Sequence, residues 1–275
     1  MSENQPDPGA MYAEPWVQQG IQQIKDMLVE HHEFVGIDCS TKRVLDYACG
    51  DGTVTKVCFI EGDRIHDTLT RWQALLKVCP DCTFRGIDSH HAQVERYNNE
   101  ARRLLGDSGQ RMLAVEGDLT TPDSSLNTND WSGFDVAAIS MALHHVQNPI
   151  ELLKSLLGRV RKGGVMIIVE FTDATAASPV VGQVHSEDHM AVDGCEKKNT
   201  GHRHHHHQHD PEQMIEVAGG QKIWPGFAAE SLEAAMIAAG CVDVDVKLHG
   251  ETFIIPADIG HGGEKRLMLA RGTVT

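Results

Sequence analysis

Basic residues are scarce in this chain of 275 residues: 24 lysines and arginines stand against 39 aspartates and glutamates, a formal net charge of −15. An acidic surface repels phosphate backbones and anionic headgroups, which argues against general binding to nucleic acid or to a membrane surface. Long apolar runs are missing as well. The longest reach about six residues, far short of the roughly 20 that span a bilayer. The opening Met1-Ser2-Glu3-Asn4-Gln5-Pro6 has neither the basic nor the apolar region of a signal peptide. Cysteines number 7 and are scattered, unlike the framework of a small secreted domain. Cys79-Pro80-Asp81-Cys82 is a lone CxxC with no second pair to complete a zinc ribbon. The expectation is a soluble, cytoplasmic protein with reduced thiols and neither a nucleic-acid nor a membrane partner.

What is present is a hydrophobic content of 41%, enough for a sizeable core. At about 150 residues per domain the length allows one large domain or two small ones. Residues 1–11 are polar and read as a disordered terminus. Trp16, Ile21, Ile24, Leu28 and Val29 fall on one face of a helix that Pro15 can open. Short apolar runs then alternate with helical stretches. Val44–Ala48, Phe84–Asp88, Met112–Val115, Asp135–Ser140 and Val165–Val169 read as strands, and Asp67–Val78, Ala92–Leu105 and Ile150–Val160 as helices.

The last of these helices has an expected cap at Asn148, with Glu151 completing a capping box, and an expected end at Lys162-Gly163-Gly164. Such alternation predicts a parallel α/β sheet with right-handed crossovers. Residues at about 172–222 break the rhythm and read as a flexible, histidine-rich insertion, with at most a short helix around Glu212–Val217. Order resumes with a helix over Ala228–Ala239, closed by Gly240. A strand with one wet face follows through Val242, Val244 and Val246, then the run Phe253–Ile255, stopped by Pro256. A final strand over Leu267–Ala270 completes an antiparallel hairpin at one sheet edge.

Four signals sit at the carboxyl ends of successive strands, where open α/β sheets bind ligands. Asp46-Tyr47-Ala48-Cys49-Gly50-Asp51-Gly52 follows the first strand; its glycines permit a sharp turn and close approach to the backbone. Asp88 ends the second strand, placed to accept from two ribose hydroxyls, with Ser89 beside it. Asp118 and Leu119 follow the third strand, where the acid can accept from an adenine amino group. Ser140-Met141-Ala142-Leu143-His144-His145 follows the fourth. Each alone has an ordinary structural explanation, but chance would scatter them.

In this order the segments LDYACGDG, GID, EGDL, FDVAAISMALHHV and RVRKGGVMIIVE resemble the class I S-adenosylmethionine-dependent methyltransferases. The chain looks closest to small-molecule enzymes of that class, many of them fungal. The resemblance covers about residue 12 to 275 apart from insertions at about 61–82 and 172–222, which implies a single methyltransferase domain over 12–275. It implies a Rossmann-like seven-stranded sheet in the order 3-2-1-4-5-7-6, last strand antiparallel, with helices on both faces. It implies S-adenosyl-L-methionine as cofactor, S-adenosyl-L-homocysteine as product and a small-molecule acceptor methylated at O, N or S. Asp46 and the loop residues Ala48, Cys49, Gly50 and Gly52 then hold the methionine end. Asp88 and Ser89 hold the ribose, Asp118 and Leu119 the adenine, and Ser140 and Met141 line the methionyl side. Tyr12 and Trp16 are lid candidates.

Two departures stand out: Ala48 replaces the usual first glycine, and Asp88 lies 42 positions after Asp46, about twice the family's usual distance. His145, and after it His144, are candidate general bases, because imidazole titrates near neutrality. The histidine run between His202 and His209 can bind metal adventitiously but lacks the fixed geometry of a built site, so no metal is expected. A nicotinamide-dependent oxidoreductase remains a rival, although Thr55 stands where its third glycine belongs. So do a non-catalytic methyltransferase-like subunit and a metal-buffering protein. The acceptor's identity and the oligomeric state are not legible.

Overall fold

The computed structural model describes residues 11–37, 40–57, 82–121, 124–174, 214–216, 222–259 and 262–275. The expected helix over Asp67–Val78, nearly all of the 61–82 insertion and the histidine run lie outside the described residues.

Strands sandwiched between helices must be apolar on both faces. That requirement is met along β1 (Arg43–Tyr47), β2 (Thr83–Asp88), β3 (Met112–Glu116), β4 (Phe134–Ser140) and β5 (Val160–Asp173). Val44, Val136, Ala138, Ile167 and Val169 join one core, while Leu45, Ala137, Ile139, Met166 and Ile168 join the other. The sheet is completed by β6 (Cys241–Ile255) and β7 (Gly263–Val274). Its order is β3-β2-β1-β4-β5-β7-β6. The first five strands run parallel, and β7 is antiparallel to both its neighbours. This is the architecture the motif series implied.

Among the described residues the helices beside the sheet include α1 (Pro15–Glu30), the short α2 (Thr53–Val57), α3 (His91–Leu105), α4 (Pro149–Leu157) and α5 (Ala229–Ala239), with a single turn at His32–Val35 after α1. On the first face, α1 contributes Ile24, Met27 and Leu28, and α3 contributes Val94, Tyr97 and Ala101. On the second, α4 contributes Leu152, Leu153, Leu156 and Leu157, and α5 contributes Leu232 and Met236. Pro15 occupies the first turn of α1, where its missing N–H has no partner to lose.

Several sequence expectations need correction. Helix α4 ends at Leu157, and Asn148 makes no side-chain cap; Glu151 pairs with Lys154 at 2.8 Å instead. Lys162-Gly163-Gly164 belongs to β5, not to a helix end. Gly163 takes a left-handed φ of 71°, and the ladder between β4 and β5 shifts register there. A glycine after basic residues serves a bulge as well as a helix terminus, and the sequence does not separate the two. Strand β5 continues through Thr172 and Asp173, so the break in the pattern begins later than read.

Instead of a helix around Glu212–Val217, Ile215–Glu216 pairs antiparallel with Lys222–Ile223 in a two-stranded ribbon. The run Phe253–Ile255 is the end of β6 rather than a separate element. Its alternation breaks at Asp243, with φ 50° and a register shift, leaving Val242 41% exposed while Val246 is buried. No helix among the described residues is long and apolar enough to cross a membrane.

One packing contact ties the sheet to the loop after β1. Gly86 of β2 lies between Asp46 and Ala114 of the adjacent strands. A Cβ built on it would stand 2.7 Å from the Cys49 sulfur and 2.9 Å from the Ala114 Cβ. Overpacking of this kind costs about 1–3 kcal/mol. Gly86→Ala is therefore expected to lower the free energy of unfolding in urea by about that amount, whereas Gly133→Ala, with nothing within 4 Å of its Cβ, tests only the strain of its φ of 70°.

Candidate active site

The carboxyl ends of β1 to β4 deliver Asp46, Asp88, Asp118 and Ser140 to one edge of the sheet, and all four border one cleft. The loop that follows β1 turns through three left-handed residues, Ala48 (φ 52°), Gly50 (φ 53°) and Gly52 (φ 83°). Ala48 thus keeps the backbone form of the glycine it replaces, at a strain of about 1–2 kcal/mol. The turn brings the Gly50 N–H 2.9 Å from Asp88 Oδ2, while the His90 N–H donates to Asp88 Oδ1 at 2.9 Å. Each carboxylate oxygen has two lone pairs, so Asp88 retains capacity for two more donors. The long separation from Asp46 does not move Asp88 away: β2 pairs directly with β1. Ser89 beside it is exposed, and its hydroxyl lies 3.1 Å from His90 Nδ1.

Asp46 is only 2% exposed. Thr55, from α2, donates its hydroxyl to Asp46 Oδ2 at 2.7 Å and lies 3.0 Å from the Tyr97 hydroxyl of α3. Burial pushes the Asp46 carboxyl up to about 7; the Thr55 hydrogen bonds oppose the shift, and the nearby Asp88 and Asp51 charges reinforce it. The Cys49 thiol is likewise raised by burial and then by Asp46 and Asp88, so it is no nucleophile. Tyr12 closes over this loop: a Cβ on Gly50 would meet its hydroxyl at 2.5 Å. Burial, then Asp51 and Asp88, raise the Tyr12 phenol.

Asp118 is drawn into its own turn. Its Oδ1 accepts from the Tyr47 hydroxyl at 3.1 Å and from the Thr120 N–H at 2.8 Å, and Thr120 Oγ1 lies 2.8 Å from both carboxylate oxygens. The Leu119 N–H donates to the Tyr47 hydroxyl at 3.4 Å. Thr55, Tyr97 and Tyr47 are supporting residues that motif spacing does not reveal. Thr55 had only negative weight in the sequence, as the absence of a third glycine.

The two histidines after β4 occupy different surroundings. His145 is exposed, and its ring stacks on His144 at a centroid distance of 4.1 Å. His144 is 4% exposed, and its Nδ1 lies 2.9 Å and 3.2 Å from the two oxygens of Glu170, whose side chain is wholly buried. The His144 backbone N–H adds a third bond to Glu170 at 3.3 Å. A carboxylate accepts and does not donate, so this contact favours the tautomer with the proton on Nδ1. Trp224 fixes the turn from outside, its N–H donating to the His144 carbonyl and its indole N–H to the Val146 carbonyl, both at 2.8 Å. Neither Glu170, read as the end of a strand, nor Trp224, a lone aromatic after a polar tract, stood out in the sequence.

Away from the acids the cleft becomes apolar, bordered by Trp16, Ile24, Phe171, Phe253 and Ile255. Ser140 and Met141 lie between the two ends in sequence; Met141 is left-handed (φ 54°), with its N–H held by the Val169 carbonyl at 2.8 Å. Its volume, about 1980 Å³, exceeds the roughly 300–1,000 Å³ of a single-ligand pocket. Every residue singled out from the sequence except Gly52 borders it. Gly52 instead packs beneath, where a Cβ would press on Tyr97 at 3.1 Å. No cluster of metal-ligating side chains occurs among the described residues.

A family model described as a methyltransferase domain matches residues 21–245. The glycopeptide N-methyltransferase MtfA superimposes with a TM-score of 0.50 at 16% identity, over 90% of this chain and 95% of that one. The N-terminal domain of EvdMO1, crystallised in the presence of S-adenosyl-homocysteine (SAH) and D-fucose, gives 0.50 at 15% identity, over 92% and 84%. The methyltransferase (CMeT) domain of the citrinin polyketide synthase gives 0.50 at 14% identity, over 94% of this chain and 54% of that one. No curated protein matches the chain by sequence. The chain belongs to the methyltransferase-domain family and is a class I enzyme that uses S-adenosyl-L-methionine and releases S-adenosyl-L-homocysteine.

The acidic end has a measurable signature. An aspartate near 3.9 in the unfolded chain and near 7 when folded binds its proton more tightly in the native state between those values. It therefore withdraws stability as pH rises from about 4 to 7, and the deficit is constant above. Asp46→Asn, which keeps an acceptor for Thr55, is expected to lose that slope. Thermal melts of the ligand-free protein from pH 5 to pH 8 should show wild type falling relative to the variant; parallel curves would reject the raised carboxyl.

Proposed function

We propose that this protein methylates a hydroxyl oxygen of a small, largely apolar acceptor, with His144 as general base. The observation that carries this reading is that one cleft has an acidic edge, an apolar wall and the His144–Glu170 pair on its border. When bound, S-adenosyl-L-methionine supplies a methyl group already activated on a sulfonium, for in-line displacement by the acceptor. The donor set fits it: no cation among the described residues pairs with buried Asp46, and Asp88 can still accept from two hydroxyls. In this reading Asp46 and the loop Ala48, Cys49 and Gly50 receive the methionine end, with Gly52 supporting the turn from beneath. Asp88, beside Ser89, receives the ribose, and Leu119 with Asp118 flanks the adenine. Ser140 and Met141 border the methionyl side, and Tyr12 and Trp16 cover it.

The protein's own work is alignment and proton handling. Holding acceptor and donor together contributes on the order of 7–11 kcal/mol. A neutral hydroxyl is a poor nucleophile, and His144 Nε2 takes its proton while Glu170 holds the ring and balances the imidazolium. His145, the first candidate by sequence, lies on the exposed side of the turn, its ring 4.1 Å from that of His144 and tilted by 43°. The apolar wall favours a small molecule over nucleic acid, consistent with the net acidity and with a soluble cytoplasmic role, for example in secondary metabolism.

Calorimetric titration with S-adenosylmethionine, S-adenosylhomocysteine and NAD tests the cofactor assignments. Asp88→Ala is expected to weaken the first two by about 1–3 kcal/mol through lost charge-assisted hydrogen bonds; unchanged affinity would refute the ribose role. With simple phenols as acceptors, His144→Asn is expected to lower kcat by about 10²-fold or more, and His145→Asn by far less. Glu170→Gln should lower kcat, because a neutral amide no longer balances the imidazolium formed on proton transfer. Equal losses at His144 and His145 would overturn the choice of base.

A further inference from the structure

Lys265 lies on the inward face of β7. Side chains alternate along a strand, so Lys265 shares its face with Leu267 and Leu269, both wholly buried in the core cluster that α1 joins. Lys265 is itself only 5% exposed. Lysine is almost never buried so fully unless it is paired, and its place there asks for a reason. One partner is Asp173, whose Oδ1 lies 2.6 Å from Nζ. That side chain is 74% exposed, however, and a carboxylate so open to water gains little from a pair.

The second contact carries more. Lys265 Nζ also donates to the Pro225 carbonyl at 3.2 Å. Pro225 belongs to a strap, residues 222–227, that is tied to the sheet from three strands. Next to Pro225, Trp224 donates its backbone N–H to the His144 carbonyl and its indole N–H to the Val146 carbonyl, in the turn after β4. Phe227 donates to the Phe171 carbonyl of β5 at 3.1 Å. Gly226 presses on the same carbonyl, which a Cβ there would meet at 3.2 Å. Lys265 of β7 supplies the third tie. A side-chain route joins the same groups: the Phe171 ring centre is 5.6 Å from Lys265 Nζ, and its ring lies 4.8 Å from that of His144.

We infer that Lys265 is a positioning residue for His144: it holds the Pro225 carbonyl, and through Trp224 the strap holds the turn that carries the base. This rests on the reading of His144 as general base given above. A base must stand within hydrogen-bond reach of the proton it takes, and a misplacement of about 1 Å can cost about 10²-fold in rate.

The test uses the full chain and four variants. Lys265→Met keeps an unbranched stem beside Phe171 and removes both hydrogen bonds; Asp173 stays in water, so no buried charge is stranded. Asp173→Asn removes the ion pair and leaves the Pro225 contact. Trp224→Phe breaks the same path at its other end, and His144→Asn removes the base. All four are expected to keep the wild-type Kd for S-adenosylhomocysteine, which also reports that they fold. Hydrogen exchange at the Trp224 indole N–H, identified in NMR spectra by its loss in Trp224→Phe, should be about tenfold faster in Lys265→Met and unchanged in Asp173→Asn. With S-adenosylmethionine and 2-naphthol, Lys265→Met and Trp224→Phe should each lower kcat about tenfold, and Asp173→Asn should not. Added to His144→Asn, Lys265→Met should cost nothing further, because both act on one group. Wild-type indole exchange in Lys265→Met overturns the inference, as does an equal kcat loss in Asp173→Asn or an undiminished loss in the His144→Asn background. If Lys265→Met does not bind S-adenosylhomocysteine, Trp224→Phe decides, and a wild-type kcat there overturns the inference. If His144→Asn keeps the wild-type rate, or wild type does not methylate 2-naphthol, the reading of the base fails and this one with it, even where indole exchange shows the tie.

Discussion

Asp46 ends a strand buried on both faces, so its carboxylate leaves water wherever the chain turns next. Among the described residues the answer is polar contacts rather than a cation. Thr55 donates to the carboxylate, Tyr97 stands behind Thr55, and the loop carries Gly50 over to Asp88. Three elements, α2, α3 and β2, are thereby tied to the end of β1. The carboxyl remains near 7 all the same, because hydrogen bonds offset only part of the burial. An acid left in that condition is poised for a positively charged ligand, and the rest of the cleft is arranged around the same edge.

Glu170 is the contrasting case. It is buried more completely than Asp46, on β5, two strands away in the sheet, yet it has an internal partner in His144. A buried carboxylate stripped of its partner costs several kcal/mol, so the pair is a fixed part of the structure in a way that Asp46's missing cation is not. One edge of the sheet therefore holds two buried acids with opposite accounts: one satisfied within the chain, orienting an imidazole, and one open toward the cleft.

The strand ends were legible because they combine period, glycine and acid in the right order; Asp46, Gly50, Asp88, Asp118 and Ser140 follow from pattern alone. Residues that act across the sheet were not. Thr55, Tyr97, Tyr47 and Trp224 join through contacts between elements, and no local spacing encodes them. The choice between His144 and His145 turned on which side chain faces the buried Glu170, a question of register one residue wide. Lys162-Gly163-Gly164 misled for a related reason: the same tripeptide suits a helix end or a bulge, and the pairing of β4 with β5 decides.

Substrate choice is written in a still less readable way. At the acidic end, function follows from side chains that are present and charged, and charge is visible in a sequence. At the apolar end it rests on side chains that carry no such mark. Trp16, Phe171 and Phe253 would look like ordinary core residues in any helix or strand. Only the folded arrangement, which sets α1 against β6, shows that these residues border the cleft. A methyltransferase of this fold can change acceptors by filling or emptying such positions while the acids at the strand ends stay as they are. Cofactor sites are thus easier to read from a chain than the molecules its enzyme modifies.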